Sequence, residues 1–473
     1  MDAIEDLLSF GMSTKYENLP EAVIERSRLA ILDTLGAMIA GIKGADVQQL
    51  SDLVSGWGGR PDATAVSCRS MIPLPHAAFL NGVAARAWDL DDVHEQNTCH
   101  INVNVVPTAL ALAEARPQLD GRGLLAAVSI GAEVICRISG APRVSFSETG
   151  SSMSYQCGFY GAALVAARLL GLSRDKARHA LGIAHARMAG NQQGYLAGAS
   201  TIRLMQGVAV EGGVLSALMA ERNLTGSAEI LEGRFGYYDI SHKGMYDRSD
   251  LVDGLGGDTW HMLEPSIKPA YPCCKYTHGP IEAAIQAAHA FGASTIEKVI
   301  VRVTNREVHD LVCETRHTKW NPKTLSECQF SLPFAVAHAI VNKRVDLDTF
   351  SPLGMEDPKV RALLPRIDVD LDISTQGTGR GKFPMPGTVS IHGEDGHSVQ
   401  RTVEYVRGHP KNPMDFNDVA EKFRICARLG LPGWDPEPLI RNIRCLEQLG
   451  DTSELMRACS FGYLNHHTTM ETI

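Results

Sequence analysis

The sequence lacks the short motifs of the commonest cofactor and hydrolase sites. It has no G-x-x-x-x-G-K-[ST] loop to cradle phosphates, and no G-x-G-x-x-G follows a strand pattern. A G-x-S-x-G elbow, an H-E-x-x-H helix and a C-x-x-C pair are also missing. Motif-based readings as a nucleotide enzyme, serine hydrolase or zinc protease are thereby removed. Basic residues are outnumbered, 45 against 54 acidic, for a formal charge of −9. No basic footprint for nucleic acid is present. The apolar stretches are interrupted; Leu29 to Ile42 is broken by Asp33 and glycines. None is read as the roughly 18 to 20 residues a membrane span needs. The N-terminus carries Asp2, Glu5 and Asp6 without a basic segment, so a signal peptide is not expected. The 11 cysteines are odd in number and form no framework, which fits reduced thiols. A cytoplasmic protein with no nucleic-acid or membrane partner is the expectation.

What the sequence has is helical periodicity. Its 473 residues are 44% apolar and 21% charged, ordinary globular usage. Pro20 opens a helix with Val23, Ile24, Ile31, Leu32, Leu35, Met38 and Ile39 at helical spacing. Further helices are predicted over 74–88, 106–116, 121–138, 158–170, 174–188 and 207–222. Many are rich in Ala and Gly, which permits close helix packing. The pattern changes near residue 296. The segment 298–303 is β-branched, and 367–373 alternates strictly, as a half-buried strand does. Two more strands, 387–391 and 398–406, flank His-Gly-Glu-Asp-Gly and predict a hairpin. Helices are expected at 280–291 and 330–341, and again after Pro410. The fold class is mainly α. A large all-helical domain (1–265 plus 408–473) carries a smaller α+β lid domain (266–407).

Chemistry concentrates in three segments. Asp89-Leu-Asp-Asp-Val-His-Glu-Gln-Asn-Thr-Cys-His100 packs carboxylates and two imidazoles into twelve residues. Such a set can supply a base, an acid and an orienting partner; the alternative is a solvated loop with helix caps. Lys268-Pro-Ala-Tyr-Pro-Cys-Cys-Lys275-Tyr-Thr-His278 places cations and a switchable imidazole beside proline-fixed backbone. Adjacent cysteines without a second pair do not make a zinc site, so no metal is expected. In Ser200-Thr-Ile-Arg203-Leu-Met-Gln-Gly207, Arg203 can grip a carboxylate through both guanidinium nitrogens, or make an ordinary salt bridge.

Taken together, several segments resemble the MmgE/PrpD family. They are Ala30-Ile-Leu-Asp-Thr-Leu-Gly36, Leu80-Asn-Gly-Val-Ala-Ala-Arg-Ala-Trp-Asp-Leu-Asp-Asp92, Val106-Pro-Thr-Ala-Leu-Ala-Leu-Ala-Glu114, Leu169-Leu-Gly-Leu172, Cys273-Cys-Lys-Tyr-Thr-His-Gly-Pro280 and Gly408-His-Pro-Lys-Asn-Pro-Met414. Their order and spacing run through nearly the whole chain. The resemblance implies a helical domain with an α+β lid, a homodimer, no organic cofactor or metal, and a small di- or tricarboxylate substrate. It implies a lyase that eliminates water or CO2 by proton transfer beside a carboxylate. The alternatives are an epimerase of a similar dicarboxylate, or a ligand-binding homologue without turnover. By position, Asp89, His100, Lys268 and His278 match catalytic positions, with Asp89 orienting an imidazole. Arg203, Lys275, Asp92, His94 and Ser152 are the expected substrate-binding set. This chain departs from the family pattern at Val93, at Ser152 and Ile202, where a histidine and a lysine are usual, and at Met205, where a second histidine is usual.

Overall fold

The computed structural model describes residues 2–68, 70–116, 118–375 and 386–459. The helical return expected to run to 473 is therefore described only as far as 459. The principal helices, in chain order, are α1 (Glu21–Gly41), α2 (Leu74–Arg86), α3 (Asn102–Ala115), α4 (Gly121–Gly140), α5 (Met153–Leu169), α6 (Arg174–Arg187), α7 (Thr201–Glu221), α8 (His278–Phe291), α9 (Leu332–Asn342) and α10 (Phe416–Gly430). The principal strands are β1 (Ile296–Val303), β2 (Ile367–Leu371), β3 (Gly387–Gly393) and β4 (Ser398–Val403).

Contacts divide the chain into two compact units. The first comprises the described residues of Met1–Gln192, Thr201–Ile267 and Met414–Ile473, and the second those of Gln193–Ser200 and Lys268–Pro413. The first unit is helical apart from a two-residue antiparallel ladder, Ala63–Thr64 with Met71–Ile72. Three of its helices start where a side chain satisfies orphan backbone N–H groups. Asp120 accepts from Gly123 N at 2.8 Å ahead of α4, Ser173 from Lys176 N ahead of α6, and Asp415 and Asp418 form a reciprocal box ahead of α10. Helices α4 and α7, with 20 and 21 residues, are long and apolar enough to cross a membrane, contrary to the sequence expectation. Most of α4's apolar window is buried in the unit, as in a core helix, and α7's is covered less completely.

Two predicted helix starts at glycine are wrong for one reason. Helix α7 begins at Thr201, not Gly207, and α5 at Met153, not Gly158. Those glycines are approach points inside helices. A Cβ on Gly207 would lie 2.5 Å from the Phe79 carbonyl oxygen, and one on Gly158 2.2 Å from Asn104 Oδ1. A Cβ on Gly41 would likewise lie 2.1 Å from the Ala84 carbonyl. Helices α1 and α7 thus both press onto the last turns of α2, where Arg86 sits. Close-packed surroundings of this kind leave a side chain little freedom to move.

The second unit holds a four-stranded sheet in the order β2-β1-β3-β4. Strand β1 pairs parallel with β2 (Val301↔Val369) and antiparallel with β3 (Val301↔Val389). The predicted hairpin is present as β3–β4, with Thr388 opposite Thr402. Strand β2 stops at Leu371, and only Ile367 in it is buried. Its alternating acids face cross-strand cations instead: Lys298 Nζ lies 3.0 Å from Asp368, and Arg302 Nε 3.5 Å from Asp370. Helix α8 packs on β3 and β4 and against α9.

Candidate active site

The polar loop after α2 is drawn inward rather than solvated. Asp89, Asp91, Asp92, His94 and His100 are all buried. Arg86, in the last turn of α2, binds Asp89 Oδ1 through Nη1 and reaches Asp91 Oδ1 at 3.3 Å. The other oxygen of Asp91, Oδ2, meets His100 Nδ1 at 2.6 Å. An imidazole whose Nδ1 is bonded to a carboxylate has its ring orientation fixed and its cationic form stabilised, leaving Nε2 as the nitrogen for proton exchange. The backbone N–H of His100 donates to Ser154 Oγ at 2.9 Å, at the start of α5, so the residue is held at its backbone as well as at its ring.

Asp91 is the carboxylate that orients His100, while Asp89 is the partner of Arg86. Asp89 takes a left-handed backbone, φ 54°, a conformation an Asp tolerates better than most residues. That turn directs Asp89 and Asp91 to one guanidinium. Both Asp91 and Arg86 went unselected in the sequence, although Arg86 lies one helical turn before the acids.

Asp92 is bound to the start of α3. It accepts from the backbone N–H of Asn102 at 3.0 Å and from its side-chain amide at 2.9 Å, closing the start of α3. Burial first, and the neighbouring Asp91 second, push its carboxyl up to about 7, against the Asn102 N–H. His94 is held by Glu264 at 3.1 Å through Nε2, and its backbone pairs with Cys99. Residues 95–98 therefore form a closed turn between His94 and Cys99. Val93 exchanges two backbone bonds with Ser266, at 3.1 and 2.8 Å. Ser152 is buried at the N-terminus of α5, one residue before Met153, and its hydroxyl does not cap that helix.

Arg203 lies in the first turn of α7 and is buried. Its Nε donates to the Ala87 carbonyl at 2.7 Å, and its Nη1 pairs with Asp46 at 3.2 Å. Burial lowers its basicity first, and Asp46 works against that. Of the two readings open in the sequence, the geometry displays the salt bridge. It also ties Arg203 to the residue that follows Arg86.

In the second unit, Lys268, Lys275 and His278 are all buried. Lys275 opens a single 3₁₀ turn, and His278 begins α8. His278 Nε2 lies 3.1 Å from the Cys273 carbonyl, and its ring meets Tyr271 edge-on at 5.2 Å between centroids. Cys273 Sγ is paired with the Thr277 hydroxyl at 3.2 Å, so that thiol is engaged within its own turn.

Among the described residues, Asp89, Asp91 and His100 are one group whose donor atoms fall within 4.8 Å, as metal ligands would. Arg86 already sits on both carboxylates. Arg86 thus offsets one of the two carboxylate charges and already occupies Asp89 Oδ1 and Asp91 Oδ1.

The MmgE/PrpD N-terminal domain model matches residues 5–248, and the MmgE/PrpD C-terminal domain model residues 271–448. Cis-aconitate decarboxylase of Homo sapiens is 26% identical over 470 residues, spanning 93% of this chain and 91% of its own length. The Mus musculus enzyme of that name is 27% identical over 94% of this chain and 90% of its own. The Aspergillus terreus one is 26% identical over 89% of this chain and 88% of its own. With both domain models matched over most of its length, the chain belongs to the MmgE/PrpD family.

Proposed function

We propose that the chain is a lyase working without an organic cofactor or metal, which removes CO2 or water from a small di- or tricarboxylate. Family membership and relatives named as decarboxylases make it an enzyme of the decarboxylase or dehydratase type. The observation that carries the mechanism is the buried Arg86–Asp91–His100 chain, with its 2.6 Å carboxylate–imidazole bond. In a decarboxylation the C–CO2 bond breaks, its electron pair stays on carbon, and a protonated His100 delivers Nε2–H to that carbon. In a dehydration, neutral His100 takes the proton beside a carboxylate, and the hydroxyl leaves with a proton from a second acid. Both directions need an imidazolium that is stabilised as it forms, and Asp91 provides that.

By family resemblance, His278 is the second proton-handling group, and Lys268 and Lys275 hold substrate carboxylates. Arg203, Asp92 and His94 act on the loop's shape rather than by gripping substrate. Ser152 puts a hydroxyl where the family pattern has a histidine. The assembly proposed is a homodimer. Helix α7 keeps Leu204, Met205, Val208, Leu215, Leu218 and Met219 only partly covered, a stripe a second copy can bury. Sedimentation analysis checks it: a single species near 51 kDa overturns the dimer.

The test of function is turnover of a carboxylate panel led by cis-aconitate, followed by proton NMR. Loss of CO2 or water, abolished in His100→Ala, supports the reading. Undiminished turnover in both His100→Ala and His278→Ala overturns the mechanism.

A further inference from the structure

We propose that Lys422, on the C-terminal helix α10, is a positioning residue for the proton-transfer site, acting on the backbone of the loop that carries Asp91. The inference rests on the reading of His100 given above. Lys422 is buried, and its Nζ bonds to Asp33 Oδ1 of α1 at 2.6 Å and to the Leu90 carbonyl at 2.5 Å. The ion pair alone neutralises the charge. The bond to Leu90 does something else, because Leu90 lies between the two carboxylates that Arg86 binds.

Four consecutive residues here are each held from a different direction. Asp89 is held by Arg86 of α2, the Leu90 carbonyl by Lys422 of α10, Asp91 by His100 and Arg86, and Asp92 by Asn102 of α3. The left-handed backbone at Asp89 is sparsely populated for a residue other than glycine, and persists where the surroundings over-determine it. Three of the four holds act through side chains; Lys422 holds the peptide itself. Turning the Leu90–Asp91 peptide would carry the Asp91 carboxylate away from Nδ1 of His100. A buried ion pair is weak support for stability but a known means of specifying one geometry. Lys422 is 332 residues from Leu90 in sequence, so the C-terminal return contributes directly to the order of a site built from the N-terminal half.

The experiment uses the full chain with Lys422→Met/Asp33→Leu, which removes both charges together and leaves neither buried alone. Lys422→Arg is the conservative comparison. Three quantities are read: melting temperature, kcat and KM with their pH profile, and the far-downfield proton resonance of the His100 Nδ1–Asp91 bond, assigned by its loss in His100→Asn. The double variant is expected to melt near the parent, to lose on the order of 10- to 100-fold in kcat with KM little changed, and to lose or shift the resonance. Lys422→Arg is expected to recover part of both. Parental kcat, pH profile and resonance in the double variant overturn the proposal. Should that variant not fold, Lys422→Gln/Asp33→Asn, one atom short of Leu90, is read in the same way. If the parent turns over no carboxylate, the functional reading falls, and the resonance still decides the role of Lys422.

Discussion

Replacing Asp91 by Asn is the sharpest perturbation of the proton-transfer chain. The shape is kept, but Oδ2, 2.6 Å from His100 Nδ1, becomes either a neutral oxygen or an amide donor. An amide donor at Nδ1 forces the proton onto Nε2 and fixes the wrong tautomer for a base. A neutral oxygen no longer stabilises the imidazolium. In serine-protease triads the comparable change costs about 10⁴ in kcat. Here Asp89 stays near as a second negative charge on Arg86, so a loss of about 10²- to 10⁴-fold is expected, or about 3–5 kcal/mol of barrier. KM should move little, because Asp91 has no free edge left for substrate: one oxygen is on Arg86 and the other on His100. Arg86 keeps Asp89, so the stability cost should stay near 1–3 kcal/mol, the range for a hydrogen bond to a charged group. The assay is steady-state turnover of the best substrate, with thermal melting beside it. Asp89→Asn is the control and should cost less in kcat. The reasoning is refuted if Asp91→Asn turns over within threefold of the parent, or if Asp89→Asn is the more damaging of the two.

Two buried groups should oppose each other in acid. His242 is fully buried against Tyr237 and Tyr238, and burial pushes its imidazole down to about 4, so protonation favours the unfolded chain and stability falls as pH drops from 6.5 to 4. Asp92, raised to about 7, binds its proton more tightly when folded, so stability falls as pH rises from about 4 to 7. Their contributions, about 3 and 4 kcal/mol at full extent, largely cancel between pH 4 and 6.5. Denaturant titrations should therefore show Asp92→Asn gaining stability as pH rises through that window and His242→Phe losing it, and equal slopes in both variants would refute the assignments. Arg203→Gln should lower stability by about 2 kcal/mol and change KM less than threefold; a tenfold rise in KM at unchanged melting would mean that it grips substrate after all. Dialysis against a chelator should leave turnover unchanged, since Arg86 occupies the carboxylates a cation would use; activity restored only by added metal would reverse that.

The helical periodicities, the hairpin and the acidic loop were legible because each is a local pattern. Val23, Ile31 and Leu35 mark one face of a helix whether or not its neighbours are known. Gly158 and Gly207 mislead because a glycine at a helix boundary and one at a helix crossing look alike in one dimension; only Asn104 Oδ1 and the Phe79 carbonyl, across the crossings, distinguish them. The loop announced its chemistry but not its pairings. Asp89, Asp91 and Asp92 are equivalent on paper; the fold brings Asp89 and Asp91 to one guanidinium and Asp92 to Asn102. Lys422 carries no signal at all, since its role depends on a contact across most of the chain. Arg203 was left with two readings, and Asp46 and the Ala87 carbonyl supplied one of them.

The central claim is that this chain eliminates CO2 or water from a small carboxylate through His100. Proton NMR of the full chain with cis-aconitate and related acids in D2O tests it most directly. The account expects one acid to lose CO2 or water, with deuterium delivered to the adjacent carbon or a proton withdrawn from it, and expects that turnover to vanish in His100→Ala. Deuterium exchange without loss of a group would place the chain among epimerases. Thermal stabilisation by these acids with no turnover would contradict the claim and leave a binding protein.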